Sequence, residues 1–146
     1  MPRYFTAAQA ERLLPEVELA LREAIAQKSE YQAADRELNE GLQRIRMAGG
    51  SRVNPGPFLA LRARRDAATL KVQAAFQKIE ELGAQVKDLD IGLIDFLARY
   101  HGRDVCLCWK LGESGIHFWH TPDEGFRGRK PIDAEFLENH KGDAPN

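Results

Sequence analysis

The sequence predicts an α+β fold: a long antiparallel helical hairpin, over about residues 6–48 and 58–82, followed by a small antiparallel β-sheet of three to four strands. Three observations lead there. Apolar residues recur at helical spacing from Leu14 to Ile45 and again from Leu61 to Leu82. Between these stretches Asn54-Pro55-Gly56-Pro57 supplies loop chemistry. After Gly83 the period shortens to two, most clearly over Val105 to Lys110.

Arg3-Tyr4-Phe5 is an apolar lead-in, and Thr6-Ala7-Ala8-Gln9 is a capping box in which the Thr6 hydroxyl and the Gln9 side chain satisfy each other's amides. Pro15 removes a backbone donor, which predicts a kink or short break near Leu14. The first apolar stripe is Leu14, Val17, Leu21, Ala24, Tyr31, Leu38, Leu42 and Ile45, with Lys28 and Asp35 lying on it. A helix reaching Ala48 would be on the order of 60 Å long, too long to be buried in one small globule. Ala48-Gly49-Gly50-Ser51 stops it. The second helix, from about Phe58, aligns Leu61, Ala68, Val72, Ala75, Ile79 and Leu82 and ends at the C-cap glycine Gly83. Two helices cannot cover both stripes, which predicts self-association, most simply a dimer with a four-helix arrangement.

The β region begins with a strand around Val86 within Ala84–Leu89, then a turn over Asp88 to Gly92. Leu93–Leu97 reads as the second strand, His101-Gly102-Arg103 as a turn and Val105–Lys110 as the third strand. Leu111 to Gly115 forms a hairpin loop leading to Ile116–His120, and Thr121 to Pro131 is a glycine-rich loop. Residues 133–146 hold at most one helical turn, around Phe136 and Leu137, and then a frayed polar tail. The chain is thus a single domain: hairpin 6–82, β subdomain 84–132 and tail 133–146.

At R-Y-F-T, L-L-P-E-V, V-K-D-L-D-x-G-L-I-D-F, L-C-W-K-L-G-E, F-W-H and G-F-R-G-R-K-P the chain resembles a bacterial family known as domain-of-unknown-function family 2203, over nearly all of residues 3 to 132. The resemblance implies no activity. Its motif positions are Asp88, Asp95, Cys108, Trp109, Gly112, Glu113, Trp119, His120, Gly125, Gly128 and Arg129; His117 and Cys106 lie outside it.

Composition excludes more than it assigns. The 146 residues are 43% hydrophobic and 29% charged with a formal net charge of -1, without the basic excess of a dedicated nucleic-acid binder. No apolar run approaches the roughly 20 residues of a membrane span, and the N-terminus lacks a secretory core. Cys106 and Cys108, two apart on one strand, are placed too far apart to pair, so reduced thiols in the cytoplasm are expected. Six arginines (44, 46, 52, 62, 64 and 65) without an acidic residue among them mark the hairpin tip as either an anion or nucleic-acid contact or a solvated end.

Candidate chemistry concentrates between Asp104 and Pro131. Strand parity puts Val105, Leu107 and Trp109 on one face and Cys106, Cys108 and Lys110 on the other. An even-numbered hairpin loop gathers Cys106, Cys108 and His117; an odd one brings His120 beside the cysteines. Two thiolates and an imidazole form a zinc-like set, with Cys106, Cys108, His117 and His120 as candidate ligands, although the C-x-C spacing is not that of a zinc knuckle. A second group, Glu113, His120 and Arg129 with Asp95, could act as base, acid and anion clamp. Alternatively, Glu113 caps the hairpin turn, His120 donates to a backbone carbonyl and Arg129 pairs with Asp88 or Asp95. Trp109, Trp119, Arg127 and Arg129 are the candidate ligand-binding residues. The leading reading is a non-enzymatic assembly or partner-binding module that needs no cofactor; the alternative is a small metal-dependent or hydrolase-like enzyme.

Overall fold

The computed structural model describes residues 2–49 and 54–144. The order of elements is α1 (Ala7–Met47), α2 (Gly56–Leu82), β1 (Ala84–Asp88), β2 (Leu93–Tyr100), β3 (Arg103–Lys110), β4 (Phe118–His120), β5 (Lys130–Pro131), α3 (Ala134–Asn139) and β6 (His140–Lys141). The α+β architecture is as expected, a helical hairpin followed by a small antiparallel sheet. Two compact units divide the chain elsewhere than at Gly83. One holds the residues up to Leu21 together with those from Phe76 onward; the other is Arg22–Ala75.

The Arg22–Ala75 unit is the outer part of the hairpin. Its interior is mostly alanine: Ala24, Ala34 and Leu38 from α1 and Ala68 and Ala75 from α2 are buried, and Gly41 lies against the Phe58 ring. Across the pair Arg64 reaches Glu30 at 2.9 Å and Glu37 at 3.3 Å, and Arg65 reaches Asp35 at 3.0 Å. Two of the tip arginines and the polar Asp35 of the first stripe thus serve as cross-links. Gly50, Ser51 and Arg52 lie outside the described residues.

In the other unit the capping box forms as read. The Gln9 amide donates to Thr6 Oγ1 at 3.1 Å, and Gln9 Oε1 accepts from the Thr6 amide at 2.8 Å. No break occurs at Pro15, which lies inside a continuous α1. Burial of Ala10 and Leu14 before it, and of Val17 and Leu21 after it, offsets the lost backbone bond, a penalty of about 3 kcal/mol for an interior proline. Gly83 takes φ 101°, and a Cβ there would overlap the Phe5 ring, so the position demands glycine twice over.

The sheet has six strands rather than three or four, in the order β1-β2-β3-β4-β5, with β6 also pairing β2. The additional strands, β5 and β6, are two residues each, too short to leave a periodic signature. His101 and Gly102, both at positive φ, form the tight two-residue turn between β2 and β3. One side of β2 is covered in sequence by three segments. β1 pairs over Leu93–Phe96, the Phe5 amide donates to the Leu97 carbonyl at 2.7 Å, and β6 pairs over Arg99 and Tyr100.

That last pairing corrects the frayed tail expected over 133–146. Asp133 caps α3 by accepting from the Phe136 amide at 2.8 Å, and Phe136 is buried against Tyr100, Trp119 and His140. His140 Nε2 then accepts from the Ala7 amide at 2.9 Å, and the Asp143 amide donates to the Tyr4 carbonyl at 2.8 Å. A polar segment is ordered here because it satisfies an open amide at the start of α1 and pairs with the backbone just before it. The loop at 121–131 likewise contains a 3-10 turn, Phe126–Gly128, before β5.

Candidate functional site

The register of β2, β3 and β4 decides which side chains meet. Cys106 stands between Leu97 and His120, and Cys108 between Asp95 and Phe118. This is the odd-loop alternative: the chain leaves the sheet after Lys110 and re-enters only at Phe118, not at Ile116. Two bonds hold it out. Glu11 Oε2 takes the Ile116 amide at 2.9 Å, and the Ile132 amide donates to the His117 carbonyl at 2.8 Å. The register sets Cys106 opposite His120, so His120, not His117, faces the thiols. His117 is exposed and pairs with Ser114 Oγ at 3.1 Å.

Asp95 and His120, each 3% exposed, are the buried polar side chains among the described residues. His120 Nδ1 lies 2.7 Å from the Thr121 carbonyl, which can only accept, so this nitrogen carries a hydrogen. Nε2 then faces the Asp95 carboxylate, at 3.2 and 3.1 Å from its two oxygens. Cys106 has its sulfur within 4.8 Å of an Asp95 oxygen, and Cys108 stands opposite Asp95 on the neighbouring strand. Burial, reinforced by the Asp95 charge, pushes the Cys106 thiol up to about 12 and raises Cys108 as well. Neither is an activated nucleophile in this setting. One donor atom each from Asp95, Cys106 and His120 lies within 4.8 Å of the others, and this trio could hold a cation.

Glu113 and Arg129 form a second, separate group. Arg129 Nη2 donates to both Glu113 oxygens, at 2.7 and 2.8 Å, and Glu113 Oε1 also accepts the Lys110 amide at 2.7 Å. Trp109, fully buried, donates its indole N–H to the Glu113 carbonyl at 3.0 Å. The Arg129 guanidinium lies 4.0 Å from the centre of the Phe118 ring and 4.9 Å from that of Phe126. Glu113 thus caps the turn as one alternative held, but Arg129 pairs with it and not with Asp88 or Asp95. Arg129 Nη2 and both Glu113 oxygens are thus engaged with each other.

The remaining candidates are dispersed. Trp119 stacks on Phe136 and lines an open cleft with Tyr100, Val105, Thr121 and Pro122, and Lys130 lies over its ring. Arg127 is exposed in the 3-10 turn. Sequence reasoning had singled out every side chain of the Asp95 cluster but not Thr121, which acts through its backbone carbonyl and so has no residue-type signal.

Neither the curated proteins nor the solved structures contain a match to this chain. Residues 3–132 match the family model described as an uncharacterized conserved protein, DUF2203. That span takes in α1, α2, the five strands β1 to β5 and both polar clusters, and the chain belongs to this family.

Proposed function

We propose that the protein is a non-enzymatic assembly module that dimerises through the outward face of α2. The supporting observation is a second apolar stripe on that helix, distinct from the buried one. Leu59, Ala63, Ala67, Leu70 and Ala74 follow helical spacing and are all exposed, Leu59 at 59% and Leu70 at 66%. The occupant we assign is a second copy of the chain. Antiparallel, two-fold packing of α2 on itself sets Leu59 opposite Ala74 and Ala63 opposite Leu70, a large residue against a small one, with Ala67 near its own copy at the centre. Four leucines then leave water, about 1.5–3 kcal/mol each, against an association penalty of about 4–15 kcal/mol. Those magnitudes favour a reversible dimer over an obligate one.

Other features favour binding over catalysis. The Glu113–Arg129 pair is closed and Trp109 is sealed within the fold. Arg64 and Arg65 are tied to acidic residues of α1, which speaks against a phosphate-binding tip. No helix among the described residues is long and apolar enough to cross a membrane. The free, buried cysteines fit a reducing, cytoplasmic setting. Light scattering behind size exclusion tests the proposal: the chain runs at twice its mass at tens of micromolar, and Leu59→Glu with Leu70→Glu runs as a folded monomer. Monomeric wild type at that concentration overturns it.

A further inference from the structure

The geometry points to a binding site for one divalent cation of the zinc class at Asp95, Cys106 and His120, on the second face of the sheet. The three donor atoms come from three adjacent strands, β2, β3 and β4, and lie within 4.8 Å of one another. Carboxylate oxygen, thiolate sulfur and imidazole nitrogen together suit a borderline metal and not a hard one such as magnesium or calcium.

The orientation of His120 supplies the independent observation. Its Nδ1–H is fixed on the Thr121 carbonyl at 2.7 Å, the outer hydrogen bond that metal-bound histidines make. Its other nitrogen is thereby aimed at the Asp95 carboxylate, an acceptor that offers it no hydrogen. Something positive has to lie between Nε2 and that carboxylate: a proton or a metal ion.

Charge balance permits either. Imidazolium, carboxylate and thiol sum to zero; so do a divalent cation, neutral imidazole, carboxylate and thiolate. As the cation enters, the Nε2 proton and the Cys106 thiol proton leave, and the buried cluster stays neutral throughout. The size also fits. Bond lengths around tetrahedral zinc place ligand atoms roughly 3.3–3.6 Å apart. The nitrogen–oxygen pair is already within a few tenths of an ångström of that, and the sulfur lies within 4.8 Å of both. Cys108, opposite Asp95 on the neighbouring strand, stays outside the ligand set and packs beside it. A fourth position on the ion is left for water or a ligand atom.

The experiment uses untagged full-length protein, stripped with chelator and titrated with Co²⁺ and then Zn²⁺. The expected result is saturation at one equivalent, with a thiolate-to-cobalt charge-transfer band in the near ultraviolet that Zn²⁺ bleaches. Cys106→Ser abolishes the band and weakens Co²⁺ binding more than about tenfold, and His120→Ala does likewise. Cys108→Ala keeps the band. Circular dichroism checks that each variant is folded. Absence of the band in wild-type protein overturns the site whatever the variants do. A band that survives Cys106→Ser and disappears in Cys108→Ala overturns this ligand set.

Discussion

Replacing Glu113 by alanine removes more than an ion pair. Its carboxylate accepts two bonds from Arg129 and one from the Lys110 amide, and both charged side chains are largely covered, Arg129 at 11% and Glu113 at 22% exposed. Breaking one partner of a fully buried pair costs about 3–5 kcal/mol; an exposed pair is worth about 0–1. The residual exposure places this pair between the two. The Lys110 amide adds about 1 kcal/mol when its acceptor goes. Arg129 has little to fall back on, since its Nε is already buried without a partner. Glu113→Ala should therefore destabilise by about 3 kcal/mol, and Glu113→Gln, which keeps an acceptor for Lys110, by about half that. The assay is urea unfolding followed by tryptophan fluorescence, with Trp109 bonded to the Glu113 carbonyl as the reporter. A cycle with Arg129→Ala isolates the pair term, expected at about 2 kcal/mol at unchanged m-value. Coupling below about 0.5 kcal/mol would refute the closed-network reading and free Glu113 and Arg129 for a ligand.

Phe136→Ala should cost about 3–5 kcal/mol and undock α3 and β6 together, because the ring is the buried anchor of α3 and stacks on Trp119. Faster hydrogen exchange at Lys141 and Ala7 would report it; unchanged exchange would mean that the C-terminal segment is held by its polar bonds alone. The Glu124 carboxyl is held down at about 2 by the Lys130 ammonium first, then by the Thr121 hydroxyl and amide. A depressed acid contributes fully above its ordinary value of 4.5, and that contribution drains away as pH falls toward about 2. The Thr121 amide resonance should titrate with a midpoint near the lower figure, moving upward in Lys130→Gln; a midpoint at the ordinary carboxylate value contradicts the clasp.

How much of this was legible can be judged at particular residues. Thr6 and Gln9 announced the start of α1 because capping is local chemistry, complete within four residues. Gly83 and the His101–Gly102 turn were readable for the same reason: positive φ leaves its mark on residue type. Pro15 misled because the local penalty is real but is outweighed by burial on either side. Residues 133–144 misled in the opposite sense. A polar, weakly periodic segment looks frayed until its groups meet the Ala7 amide and the Tyr4 carbonyl, more than a hundred residues earlier.

Period, capping and turn residues alone determined the helical hairpin, the strands β1 to β3 and the identity of the side chains able to carry chemistry. Tertiary structure alone decided which histidine meets the thiols and which carboxylate Arg129 takes. Those choices hang on whether an odd or an even number of residues separates β3 from β4; the structure has seven. Glu11, at the far end of the chain, withholds the Ile116 amide from the ladder. Side-chain parity in a strand flips with a single step of register, and no local pattern of residue types records which step the ladder takes.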